Sequence, residues 1–134
     1  MEGTQHALTW PALATLGITL LFFLVTFNVG RQRMATKIGP PFTSGHPMLE
    51  RAYRVQMNTL EWGAMLLPSM WICALFLSPC WAAVGGGVWI VARAWYALSY
   101  MKDPETRLKG FFLNIACVAV LFLAGLWGVL RQFV

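Results

Sequence analysis

Arg51-Ala52-Tyr53-Arg54-Val55-Gln56-Met57-Asn58-Thr59-Leu60-Glu61-Trp62 opens an apolar run that continues without another charge to Leu77. The stretch carries two guanidinium groups, two carboxamides and a carboxylate at the head of a segment long enough to cross a bilayer. Such groups are costly in a membrane and persist there where they pair, line a wet cavity or bind something. Arg54, Asn58 and Glu61 follow at spacings of four and three, which places them on one helical face. Over that distance a helix rises ~10 Å, about the reach of an extended tripeptide. The pattern predicts a membrane helix whose first turns grip a small, charged, peptide-like molecule.

Three further apolar stretches of similar length accompany this one. The sequence predicts helices at about 8–29, 50–77, 81–101 and 103–130, each able to span the ~30 Å hydrocarbon layer. Of 134 residues, 58% are apolar and 11% charged, where a soluble domain carries about 25% charged. The expected architecture is one all-α unit over residues 1–134, an integral membrane four-helix bundle. The first run begins after Glu2 and His6 rather than after a basic segment, so it reads as a spanning helix and not as a cleavable leader.

The net charge of +5 would suit a nucleic-acid binder, but its placement favours a membrane topology. Arg31, Arg33, Lys37, Arg51 and Arg54 lie between or at the edge of the first two runs, and Lys102, Arg107 and Lys109 lie at the third connection. The second connection, at Ser78-Pro79-Cys80, has no cation. This asymmetry predicts both basic connections on the cytoplasmic side and both termini on the other. Cys73, Cys80 and Cys117 form no Cys-x-x-Cys pair, so no metal is expected.

The connections have readable chemistry. Gly39-Pro40-Pro41 and Ser44-Gly45-His46-Pro47 mark the one long connection as turns and extended chain. Ser78-Pro79 predicts a tight turn between antiparallel neighbours. Asp103-Pro104-Glu105 reads as an N-cap, a first-turn proline and a first-turn acid, so the fourth helix is expected to start at Asp103.

Polar residues from three helices converge toward the basic end. Arg54, Gln56, Asn58 and Glu61 come from the second, Arg93, Tyr96 and Tyr100 from the third, and Arg107 and Asn114 from the fourth. Duller roles exist for each. The arginines serve as headgroup anchors, the tyrosines as an interfacial belt, and Glu61 with Arg93 as a structural ion pair. Packing alone, however, does not call for so many polar groups at one end. Gln56 lies about 200° round the helix from Arg54 and faces nearly the opposite way. Either the helix curves round one ligand, or its two faces serve sites on neighbouring subunits.

At these residues the chain resembles the MAPEG family, the membrane-associated proteins of eicosanoid and glutathione metabolism. It is most similar to the branch of leukotriene C synthase, the microsomal glutathione transferases and the five-lipoxygenase-activating protein. The resemblance runs through Pro40-Pro41, Glu50-Arg51-x-Tyr53-Arg54-x-Gln56-x-Asn58-x-x-Glu61, Tyr96-x-x-x-Tyr100 and Arg107. It implies a homotrimer with glutathione, the co-substrate, bound between subunits near the cytoplasmic face. Arg54, Gln56, Asn58, Glu61, Tyr96 and Tyr100 would hold the tripeptide, with Arg33 adding a contact to a carboxylate and Arg107 stabilising the thiolate. Two positions depart from the family pattern. Trp62 stands where several members have tyrosine, and Met34 where some have a second arginine.

The implied chemistry is physically ordinary. A thiol of pKa ~8.5 is mostly protonated at neutral pH, and only the thiolate attacks electrophiles. A guanidinium beside the sulfur in a partly dehydrated site favours the thiolate. The expected activity is glutathione conjugation of lipophilic electrophiles in a detoxification role, with reduction of lipid hydroperoxides as a second activity. The rival is a non-catalytic lipid- or glutathione-binding membrane scaffold, against which the retained Arg107 speaks. A small multidrug exporter would need an acid within the first helix, and none lies between Glu2 and Arg31. The partners expected are glutathione, the electrophile and membrane lipid, in a bacterial inner membrane or an endoplasmic reticulum.

Overall fold

The computed structural model describes the backbone of residues 2–134 and the side chains from His6 onward. The acidic start at Glu2 therefore lies outside the described side chains. Four helices follow one another: α1, Glu2–Thr36; α2, Pro47–Phe76; α3, Pro79–Lys102; and α4, Leu108–Leu130. A single 3₁₀ turn, Pro104–Arg107, precedes α4. Among the described residues there is no strand.

The helix ends obey local chemistry. His46 caps α2, its Nδ1 accepting from Met48 N at 3.2 Å, with Pro47 at the first helical position. Ser78 caps α3, ahead of Pro79. Asp103 Oδ1 accepts from Glu105 N at 3.0 Å, as the sequence indicates, but the turn it caps is the 3₁₀ one, and α4 starts only at Leu108. The expected start at Asp103 was thus five residues early. Proline at 104 cannot donate a backbone bond, and the tighter turn leaves Arg107 Nη1 donating to Pro104 O at 2.8 Å.

The helices pack antiparallel in sequence. The last turns of α1 meet the first of α2 through Val29, Leu49 and Ala52. At the opposite end, Gly128 of α4 abuts Phe76, where an added Cβ would stand 2.8 Å from a carbonyl oxygen. Between them the core is filled by Ile18, Leu21, Leu66, Met70, Cys73, Trp89, Val118 and Leu121. Outward-facing Leu20, Phe23, Phe27, Val91, Leu98 and Val120 are exposed, the inverse of a water-soluble surface and apt for lipid.

By length and apolarity α1, α2 and α4 each suffice to cross a membrane. The third helix is long enough, with 24 residues, or ~36 Å of rise. It falls short in apolarity because Gly85-Gly86-Gly87, Arg93 and three tyrosines or serines near its end dilute it. Its polar residues point inward instead. Arg93 is 0% exposed and Tyr96 3%.

Candidate functional site

The polar end of α2 is built on two faces. Arg54 and Asn58 look toward α3 and the 3₁₀ turn, where with Tyr96, Tyr100, Arg107, Leu108 and Phe111 they line a hollow of about 460 Å³. That volume falls in the range of small-ligand sites. Gln56 looks the other way, its Nε2 donating to Thr26 Oγ1 of α1 at 3.0 Å. The opposed faces read from helical spacing are therefore real within one chain.

The hollow is cationic at its mouth and aromatic on its walls. Arg54 is exposed and, among the described residues, makes no side-chain hydrogen bond. Arg107 is half-buried, its guanidinium 5.3 Å from the Tyr100 ring centroid. Tyr96 and Tyr100 stand 5.7 Å apart, ring to ring, and Phe111 closes the far side 6.5 Å from Tyr96. Trp62 meets Phe111 edge to face at 6.0 Å and so packs against a lining residue without itself lining the hollow.

Glu61 is exposed and sits beside this hollow rather than in its lining. It is joined to the lining by Asn58, whose Nδ2 reaches Glu61 Oε2 at 3.5 Å. The alternative of a direct Glu61–Arg93 ion pair is not what the structure has. Arg93 Nη2 donates to Asn58 Oδ1 at 2.6 Å, so an amide lies between the two charges.

Arg33 is not brought to this hollow. Its Nη1 donates to Ile38 O at 3.2 Å and Phe42 O at 2.9 Å, and its Nη2 donates to the Tyr53 hydroxyl. It also lies over the Tyr53 ring, 5.1 Å from the centroid. The family resemblance implies Arg33 as a ligand contact; within this chain it straps the long connection to α2. Tyr53 in turn lines a second hollow of about 650 Å³ with Thr43, Pro47, Glu50, Arg51, Arg54, Met57 and Tyr100. Arg54 and Tyr100 border both hollows.

Arg51 has a structural task as well. Its Nη1 donates to Met101 O at 3.2 Å and Lys102 O at 3.3 Å, satisfying carbonyls that the end of α3 leaves open. Residues that spacing alone missed are Leu108 and Phe111, one and four positions beyond Arg107. The i, i+4 relation of Phe111 to Arg107 was the available signal.

Residues 11–127 match the MAPEG family. The chain belongs to that family. It is 40% identical over 129 residues to an uncharacterised protein of Synechocystis sp., covering 96% of this chain and 94% of that one. Human microsomal glutathione S-transferase 2 is 30% identical over 106 residues, covering 79% of this chain and 72% of the relative. Leukotriene C4 synthase of Cavia porcellus is 30% identical over 122 residues, covering 91% and 81% respectively. Family membership and the long apolar helices make this MAPEG chain a multi-pass membrane protein.

Proposed function

We propose that this MAPEG protein is a membrane-bound glutathione transferase. It ionises glutathione to the thiolate and conjugates it to lipophilic electrophiles, and it reduces lipid hydroperoxides by the same thiolate. The observation that carries the reading is that Arg54, Asn58, Tyr96, Tyr100 and Arg107 line one hollow together.

The charges suit the ligand. Glutathione brings two carboxylates and one ammonium. Arg54 offers an unspent guanidinium for a carboxylate, where bidentate contacts are strong. Glu61 offers a carboxylate for the ammonium, and the tyrosine hydroxyls supply neutral hydrogen bonds. Arg107 keeps its Nη2 and Nε without a protein partner among the described residues, so it can face a sulfur. A guanidinium beside the sulfur favours the charged thiolate over the thiol.

Gln56 faces away from its own chain's hollow, which supports a homotrimer whose sites lie between protomers, each completed by a neighbour's Gln56. Arg33 acts one step back, holding Tyr53 and the long connection in place. The cations of the first and third connections support a site at the cytoplasmic face, with both termini opposite. The electrophile reaches the thiolate from the lipid.

The test is equilibrium binding of glutathione to the purified protein in lipid nanodiscs, followed by thiolate absorbance and conjugation of a lipophilic electrophile. Binding with a thiolate signal and turnover is the expected result. Binding without either would favour the scaffold reading, and no binding would refute the proposal.

A further inference from the structure

Behind the hollow stands a guanidinium absent from its lining. Arg93 is 0% exposed, in the middle of a helix bundle. Its Nε donates to Thr59 Oγ1 at 3.0 Å, and that hydroxyl in turn donates to Val55 O at 2.6 Å. Its Nη2 donates to Asn58 Oδ1 at 2.6 Å, and its guanidinium carbon lies 4.2 Å from the Tyr96 ring centroid. Its Nη1 has no protein partner. No carboxylate of the described residues comes within ion-pair distance, although Glu61 is the acid whose charge bears on it. A buried, unpaired cation costs several kcal/mol, and an apolar side chain of similar volume would pack there more cheaply.

We propose that Arg93 is a positioning residue that gives the site its preference for a ligand bearing an ammonium group. The inference rests on the glutathione reading above. Asn58 has an oxygen end and a nitrogen end of nearly equal shape. Only the oxygen can accept from Arg93, so the short bond decides which way the amide lies. With the oxygen committed, Nδ2 is turned to Glu61 and orients its carboxylate. Without Arg93 the amide is free to flip, presenting its oxygen to the carboxylate and pushing it aside. The interposed amide also keeps Arg93 from pairing with Glu61 directly. At 3.5 Å the Asn58–Glu61 contact is long, which leaves the carboxylate able to turn onto a ligand.

The experiment compares glutathione with its analogue in which hydrogen replaces the α-amino group, using the full protein in nanodiscs. The parent binds glutathione the more tightly. In Arg93→Met that preference falls on the order of 10-fold, through KM for glutathione, while kcat and the thiolate signal at saturation stay within about threefold. Arg93→Lys, which retains a donor, restores part of the preference. Should Arg93→Met fail to fold, Asn58→Ala cuts the same link with the buried cation in place and loses the same preference. Equal weakening of both ligands in these variants, or an unchanged preference, overturns the inference. A parent that binds both ligands equally overturns it while leaving the glutathione reading standing. A parent that binds neither sinks both.

Discussion

Arg107 rests on Tyr100: the guanidinium carbon lies 5.3 Å from the ring centroid, and the 3₁₀ turn holds Nη1 on Pro104 O at 2.8 Å. The ring and the turn together fix a cation at the edge of the hollow with its other donors unspent. A cation–π contact of this kind is worth ~0.5–2 kcal/mol. Tyr100→Phe keeps the ring and is expected to retain thiolate formation. Tyr100→Leu removes the platform and should lower kcat/KM by about 10-fold, the equivalent of ~1.4 kcal/mol. Equal losses in the two variants would assign Tyr100 to ligand contact through its hydroxyl and not to support of Arg107.

The pH profile of conjugation follows from the same cation. A guanidinium beside the bound sulfur stabilises the charged form, so the thiol titrates below its ordinary ~8.5. Activity then rises as pH climbs through that lowered value and is flat above it. Arg107→Ala should move the half-maximal pH upward toward ~8.5, costing about tenfold in rate at neutral pH for each unit moved. Glutathione binding should survive. Coincident profiles for parent and variant would take Arg107 out of thiolate stabilisation.

Much of this arrangement was legible in the chain, for identifiable reasons. Long apolar runs fix membrane helices because the bilayer has one thickness, and spacings of three and four fix a shared face. Arg54 and Asn58 therefore met Tyr96 and Tyr100 as expected. Arg33 shows where the reading stopped. A cation near a connection is attracted equally to a ligand and to carbonyls that the loop leaves unpaired, and only the folded loop shows Ile38 O and Phe42 O within reach. A Glu61–Arg93 ion pair was the duller alternative for these two residues, and the amide that stands between them depends on side-chain rotamers that spacing does not encode. The boundary at Leu108 was missed because an Asp-Pro cap starts a 3₁₀ turn as readily as an α-helix.

Two glycines separate close packing from mere flexibility. At Gly110 an added Cβ would stand 3.0 Å from Tyr96 N and 3.1 Å from Tyr96 Cα, backbone atoms that cannot swing aside. Gly110→Ala is expected to push α4 from α3, lowering stability by ~1–3 kcal/mol and weakening glutathione binding with it. At Gly30, inside α1, an added Cβ meets nothing within 4 Å. Gly30→Ala should leave activity unchanged and add about 0.5–1 kcal/mol, since alanine loses less backbone freedom in a helix. Thermal unfolding of both variants in nanodiscs measures the difference. A Gly110→Ala protein as stable as the parent would contradict the close α3–α4 contact.

Removing Arg33 should free the long connection. Its guanidinium ties Ile38 O, Phe42 O and the Tyr53 hydroxyl together, and connections are cleaved where such ties are few. In Arg33→Ala, limited proteolysis is expected to cut between residues 37 and 46 several-fold faster than in the parent. Tyr53→Phe, which loses the hydroxyl but keeps the ring under Arg33, should show a smaller increase. Unaltered cleavage in Arg33→Ala would mean that the strap carries no tension, and a direct ligand role for Arg33 would regain force.

Gln56 provides the test of sharing between subunits. Its amide turns to Thr26 at 3.0 Å, away from the hollow that holds Arg107. If each site combines one chain's Arg107 with a neighbour's Gln56, Arg107→Ala and Gln56→Ala damage opposite halves of it. Each variant alone is then impaired at every site. Coexpressed in equal amounts, they should form mixed oligomers in which about a quarter of the interfaces join two intact halves, as random assembly of a cyclic oligomer requires. Conjugation activity should rise to about that fraction of the parent's, well above either variant alone. Mixing the separately purified variants in stable nanodiscs gives no such gain. Were coexpression to recover nothing, each hollow would be complete within its own chain, and Gln56 would be only a bridge between α2 and α1.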